Sequence, residues 1–498
     1  MVNVSANKSP FRKLFKYALA ILIGYSIGIR LSLYLSNPCF WLDELMLALN
    51  ITERSFLNLL KALDHNQAAP AGFLYAAKTL VLLIGNNEFV LRAIPLTAGI
   101  ASFYLFYLLL KLHSDKKTIF MAFFLFSLSS YLIRYSIEFK PYMSDMFVSL
   151  SLLLIFNKLF LKNLSLKNGL LLILSGLLAF LFSFPSIFFI SAAFIAYPFF
   201  YYSKARIKEL KGFFFIMLFW AVGILVIYLF IIRPSSNNRF LLWWWDKTFM
   251  PLSFKSIEDL FWLPASFVRM FFQPGGIASF GVFLSAVLFL LGGFSYFKKN
   301  KFLTSLFLLP LLLALLISSV RIYPFYGRLL IFYAPIMYLL IAEGLAYLMN
   351  AQSGILQKFG LILAVIICFS SFFDHNPQTL IQQDIRPILR YVEKNKKEDD
   401  AVFVLFGAHY GFTYYSKILK INFPNVVVAK KYNLENLKNY NRSLKGLLKN
   451  KRLWIISSHI FVIDDTGEDV HVLNFLNRQG EVLDSFRSQG AFTRLYEL

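Results

Sequence analysis

The chain has 498 residues, 58% of them hydrophobic, and a formal net charge of +23. Charged residues make up only 15%, against about 25% in soluble domains, and mean hydropathy is +0.61, which excludes an ordinary soluble enzyme. The surplus Lys and Arg fall between apolar runs and not along one stripe, so cytoplasmic loops and anionic headgroups explain them and nucleic acid does not.

Repeated apolar runs of about 17 residues or more predict an all-α polytopic membrane protein. Lys8, Arg12, Lys13 and Lys16 precede the first run, from about Tyr17 to Leu35. It is too long for a signal peptide and lacks a small-residue cleavage site, so a retained span with its N-terminus inside is expected. The stretch from Ala71 to Gly85 is interrupted by Lys78 and is marginal for a crossing at about 1.5 Å per residue. It is read as a helix on the outer interface. Further spans are expected at about 88–110, 118–134, 141–157, 168–184, 186–202, 212–232, 278–297, 302–320, 328–349 and 355–373, giving about 11 transmembrane helices. Every inner loop is then basic, as the positive-inside rule requires; counting 71–85 as a crossing would put Lys111, Lys116 and Lys117 outside. A long outer loop, 233–277, carries Trp243, Trp244 and Trp245, which are either interface anchors or part of a lipid-contacting lid.

From about Asp374 polar residues return. Strand-like runs at Ala401–Phe406, Val426–Ala429 and Arg452–Ser457, with helical patterns near Ile385–Lys394 and Val470–Asn477, predict a small α/β domain. The expected organisation is a membrane domain over 1–373 and an α/β domain over 374–498, placed on the outer face by the odd span count.

Charged residues collect at the predicted outer ends of spans. Asp43 and Glu44 follow span 1 in Trp41-Leu42-Asp43-Glu44. They are either a general base and its partner or first-turn acids of a helix starting near Leu45. Arg134, Glu138, Lys140, Tyr142 and Asp145 follow span 3. Snorkelling accounts for the two cations, but acids beside hydrocarbon call for a partner or a function. Arg328 opens span 10 after Tyr323-Pro324-Phe325-Tyr326-Gly327, as a phosphate-binding guanidinium or an interface anchor. His65 lies in Asp64-His65-Asn66-Gln67, ahead of Pro70. The cysteines Cys39 and Cys368 form no disulfide framework, and no His, Cys and Asp set has metal-ligand spacing. No phosphate-cradling glycine loop or nucleotide fingerprint occurs, so any donor comes from the membrane.

In this order, these features resemble the GT-C superfamily of polytopic glycosyltransferases. The nearest resemblance is to dolichyl-phosphate-mannose protein mannosyltransferases and the aminoarabinose transferase of lipid A. The match rests on Asp43-Glu44, the Pro-containing segment from Asp64 to Tyr75, the run Gly85-Asn86-Asn87-Glu88-Phe89-Val90-Leu91-Arg92, and the run from Tyr135 to Tyr142. It departs at His65-Asn66-Gln67-Ala68-Ala69-Pro70, where relatives often have His-Pro-Pro, and at Lys140, where many have Arg. The resemblance implies transfer of a sugar from a polyprenyl-phosphate carrier to a lipid, glycan or protein acceptor at the outer face of a bacterial inner membrane. A departing phosphate gains about one negative charge, and Lys140, Arg134 and Arg328 are the cations that could receive it. Asp43 is the expected base for an inverting displacement, with Glu44 or Glu138 orienting the acceptor or tuning the Asp43 pKa. Tyr142, Asp145 and His65 complete the expected substrate contacts, and a divalent cation could assist. The competing readings are a lipid-linked saccharide flippase, which would need charge lining a path across the bilayer, an O-antigen-type polymerase, or a non-catalytic scaffold.

Overall fold

The computed structural model describes residues 10–159, 165–201, 207–236, 238–253, 255–373, 383–429, 437–449, 451–460, 462–463 and 466–498. The chain folds into two compact units. The first comprises Met1–Leu35, Ser55–Ala77 and Arg92–Pro377; the second comprises Ser36–Arg54, Lys78–Leu91 and Gln378–Leu498.

The first unit is helical. Among the described residues, 8 helices are long and apolar enough to cross a membrane, or 9 if the bent pair Lys116–Leu128 and Ser130–Ser136 forms one span. Two shorter apolar helices, Leu166–Phe182 and Ser186–Phe200, stand where the fifth and sixth spans are expected. Ala71–Ile84, expected to lie at the interface, is a helix of 14 residues. The bent pair turns by 57° at Ser129, whose hydroxyl accepts the Leu132 N–H at 3.3 Å. A fresh N-cap there ends one helix and starts the next. The segment 233–277, expected to be an outer loop, contains the helix Ile257–Phe272, capped by Ser256 through the Asp259 N–H.

Ala334–Met349 runs through the middle of this unit and is almost wholly buried, as a helix apolar on all sides must be. It packs on Ser279–Lys299 by close backbone approach. A Cβ on Gly344 would stand 2.1 Å from the Leu288 carbonyl oxygen, and one on Gly292 would stand 1.8 Å from that of Leu340. Without a hydrophobic driving force in lipid, such small-residue contacts hold helices together. The one acid in that helix, Glu343, accepts from Ser295 Oγ at 2.8 Å and pairs with Lys299.

The second unit holds a five-stranded sheet. Its strands are β1 (Ala401–Val404), β2 (Val426–Val428), β3 (Arg452–Ser458), β6 (Glu481–Ser488) and β7 (Ala491–Glu497), in the order β2-β1-β3-β7-β6; β4 (Val462–Ile463) and β5 (Thr466–Gly467) form a separate pair. β1 is parallel to β2 and β3, whereas β7 is antiparallel to β3 and β6. The three strands foreseen in the sequence are β1, β2 and β3, and the two helices foreseen are Arg386–Asn395 and Glu468–Leu476. Phe403, Leu405, Leu453, Ile455, Val472 and Leu476 are part of the core on one face of the sheet. Leu42–Glu53 packs on His409–Leu419.

Candidate functional site

In the first unit, the end of the helix Ser130–Ser136 presents a cluster of opposite charges. The Arg134 guanidinium donates to Glu138 at 3.2 Å, and Glu138 is buried. Lys140 is also buried, and its ammonium donates to the side-chain oxygen of Gln67 at 2.5 Å. Gln67 is held by its own bond to the His65 carbonyl, 3.2 Å away. His65 and Asn66 both adopt left-handed backbone, φ 60 and 55, which is uncommon for side chains other than Gly. That turn brings the Gln67 amide to Lys140.

Arg328 lies over the ring of Tyr142 at 5.9 Å and over Trp245 at 5.6 Å. It is within electrostatic reach of Arg134. Tyr142 packs edge-on against Tyr135 at 5.2 Å. Arg134, Glu138 and Tyr135 thus join Arg328 and Tyr142 in one charged and aromatic surround, with Lys140 and Gln67 in the same unit. The rings of Tyr142 and Trp245 fix the position of a guanidinium, a group whose planar fork matches a phosphate.

Asp145 takes a different position. It is buried in the helix Tyr142–Leu159, interacts with Ser183 and Tyr323, and forms no ion pair among the described residues. His65 contributes its backbone carbonyl to the Gln67 turn.

The second unit carries Asp43 and Glu44 at the start of the helix Leu42–Glu53. Glu44 is buried, and its carboxylate accepts the Trp41 N–H at 3.0 Å. It therefore caps the helix by reaching back from the third helical position, the alternative the sequence left open for this acid. Asp43 is half-buried, and its charge acts on His459. The His459 ring meets Trp41 edge-on at 4.7 Å. Burial lowers the His459 pKa below its usual value, against the pull of the Asp43 carboxylate.

Beside them, Glu88 accepts from Arg386 at 3.1 Å and from the Tyr415 hydroxyl at 3.0 Å. The Tyr415 oxygen in turn accepts the Phe40 N–H at 2.8 Å. Burial opposes the charge on Arg386, but the Asp384 carboxylate, 2.8 Å from it, raises its pKa above the ordinary value. Burial also pushes the Cys39 thiol up to about 12.

Sequence reasoning missed Arg30, a fully buried guanidinium inside the first span. It donates to Ser136 Oγ at 3.0 Å and to the Ser26 carbonyl at 3.0 Å, and lies over Phe103 at 5.1 Å. An arginine within an apolar run is itself a functional signal. Here it anchors the residue two positions before Glu138. Among the described residues, no three His, Cys, Asp or Glu side chains stand close enough to hold a metal ion.

These features define a multi-pass integral membrane protein by the length and apolarity of its helices, and its fold is that of two solved proteins. The solved structures that show this are ArnT from Cupriavidus metallidurans and the oligosaccharyltransferase of Archaeoglobus fulgidus. The apo form of ArnT superposes with a TM-score of 0.54 at 9% identity, covering 97% of each chain. The form bound to undecaprenyl phosphate gives 0.53 at 8%, covering 98% of each. The oligosaccharyltransferase in complex with Zn and sulfate gives 0.52 at 13%, covering 87% of this chain and 67% of that one. At these identities the likeness is one of fold. No protein-family model matches the sequence, and no curated protein matches it.

Proposed function

We propose that the chain is an integral-membrane glycosyltransferase moving a sugar from a polyprenyl-phosphate carrier to an acceptor hydroxyl at the outer face of a bacterial inner membrane. The observation that carries this reading is the cationic surround in the first unit, where Arg134 and Arg328 stand with Tyr142 and a buried Lys140 is held by Gln67. Cations at a span end suit a ligand whose phosphate is tethered in lipid. The fold supports the reading too, since ArnT with this architecture has been solved with undecaprenyl phosphate bound. The oligosaccharyltransferase has been solved tethered to an acceptor peptide, consistent with a polymeric or peptide acceptor.

The acceptor oxygen attacks C1 of the donor sugar. The C1–O bond to phosphate breaks, its electron pair stays on the phosphate, and the acceptor proton passes to Asp43. The diester, with one negative charge, becomes a monoester gaining about one more, which Lys140, Arg134 and Arg328 stabilise. Glu138 holds the Arg134 guanidinium in place. The sugar inverts, because attack and departure occur on opposite faces. In this reading the 11 apolar helices are spans, residues 1–373 form the catalytic domain and 374–498 an outer-face domain.

A transport path is less well supported. Arg30 is tied to Ser26 and Ser136, and Glu343 to Ser295 and Lys299, so these buried charges are committed to fixed partners.

Mass spectrometry of cell-envelope glycans, with and without the gene, tests the proposal. Loss of one sugar substituent from a defined lipid, glycan or protein is expected. An unchanged set of glycans, with intact carrier turnover, contradicts it.

A further inference from the structure

The second unit contains a cavity of about 550 Å³ that none of the roles above uses. Ligand pockets commonly span about 300–1,000 Å³. The cavity lies where the end of β3 meets the β6–β7 hairpin. Ser457, His459 and Ile460, at the carboxyl end of β3, line the cavity. His459 has left-handed backbone, φ 52, strain of the kind that gathers at binding sites.

The lining chemistry is specific. Arg487 on β6 is registered with Phe492 on β7, and Arg494 with Ser485. The two arginines therefore sit diagonally on one face, with Cα atoms about 7–8 Å apart, within reach of a common ligand for long side chains. Neither forms an ion pair among the described residues. The cavity also carries Asp469 and a Trp41 side chain. Among the described residues that line it, two guanidiniums stand against one carboxylate, and a bound anion would relieve their repulsion. An indole offers a flat apolar face to a pyranose ring.

We propose that this cavity is an acceptor subsite that takes a saccharide bearing a carboxylate or a phosphate. Arg487 and Arg494 clamp the anion and Trp41 supports the ring. Trp41 is two residues from Asp43 in the same unit, so the subsite assignment rests on reading Asp43 as the base.

Saturation-transfer NMR of the full chain in nanodiscs tests this, with D-glucuronate, glucose 6-phosphate and glucose as probes. At least one anionic probe is expected to bind, roughly tenfold more tightly than glucose, and R487Q/R494Q to lose that margin while R487K/R494K keeps part of it. Preference for glucuronate assigns a uronate, and preference for glucose 6-phosphate a phosphorylated sugar. Equal binding of glucose, no binding of any probe, or unchanged binding in a folded R487Q/R494Q overturns the proposal. D43N is expected to keep probe binding and lose sugar transfer. If it keeps both, the reading of Asp43 fails and the acceptor role with it, while the cavity remains a site for an anionic saccharide.

Discussion

Lys140 donates to the side-chain oxygen of Gln67 at 2.5 Å, joining a buried ammonium after the third predicted span to the turn that follows His65. The bond fixes the position of a buried ammonium through a neutral acceptor. Lys140→Met is expected to lower kcat about 10²–10³-fold, the loss typical of one preorganised charge at a transition state. Gln67→Ala is expected to act mainly on KM for the lipid donor, because it removes one positioning bond but leaves the ammonium's charge. Steady-state kinetics with a short-chain polyprenyl-phosphate sugar would read both.

Glu44 and Asp43 should separate cleanly. Glu44 caps its helix through the Trp41 N–H, so Glu44→Ala is expected to cost about 1 kcal/mol of stability with transfer per folded molecule little changed. Thermal unfolding in detergent, paired with an activity assay normalised to folded protein, distinguishes this from a catalytic acid. Loss of transfer above about 100-fold at unchanged stability would return Glu44 to the chemistry.

The backbone contact between Gly344 and Leu288 allows no side chain. A Cβ at Gly344 would stand 2.1 Å from a carbonyl oxygen. Gly344→Leu is therefore expected to separate the two helices and destabilise the protein by about 1–3 kcal/mol, seen as a lower melting temperature in detergent. Gly293→Ala serves as the control, since a methyl added at Gly293 would meet nothing within 4 Å, and it should leave the melting temperature nearly unchanged.

His459 and Cys39 give the second unit opposite pH responses. The His459 pKa is lowered in the folded protein, so the unfolded chain takes up its proton first. Its contribution to stability is complete above about pH 6.5 and declines as pH falls through that value toward the lower folded pKa. The Cys39 pKa is raised to about 12, so its contribution is complete below the unfolded thiol value and declines as pH rises through it toward about 12. Denaturant titrations between about pH 5 and 8 should show an acid-side loss that His459→Gln reduces, with the partly buried His471 supplying part of the remainder. Cys39 should resist maleimide in the native protein at neutral pH and react once unfolded.

Much of the helical unit was legible because apolar length and basic loops are local properties. The 57° bend at Ser129 was not, since one serine inside an apolar run is also compatible with a continuous span. Arg30 was hidden for a similar reason: a single charge in the first span is overlooked when the surrounding run is strongly apolar. In the second unit, β1, β2 and β3 follow from short β-branched and aromatic runs. The β6–β7 hairpin did not announce itself, because Glu481–Ser488 is mostly exposed and its register shifts between Val482 and Asp484. The inclusion of residues 36–54 and 78–91 in the second unit depends on partners hundreds of positions away, such as Glu88 with Arg386 and Tyr415. No local pattern encodes those pairs. The cationic residues of the candidate site were legible as residues, but their arrangement through Gln67 and Trp245 was not.

The most direct measurement is sugar transfer by the Asp43→Asn variant in proteoliposomes supplied with a polyprenyl-phosphate sugar and membrane-derived acceptor. The account predicts that carrier phosphate release and product formation both fall by at least about 10²-fold, with donor binding and melting temperature retained. Full turnover in a folded D43N protein would contradict it.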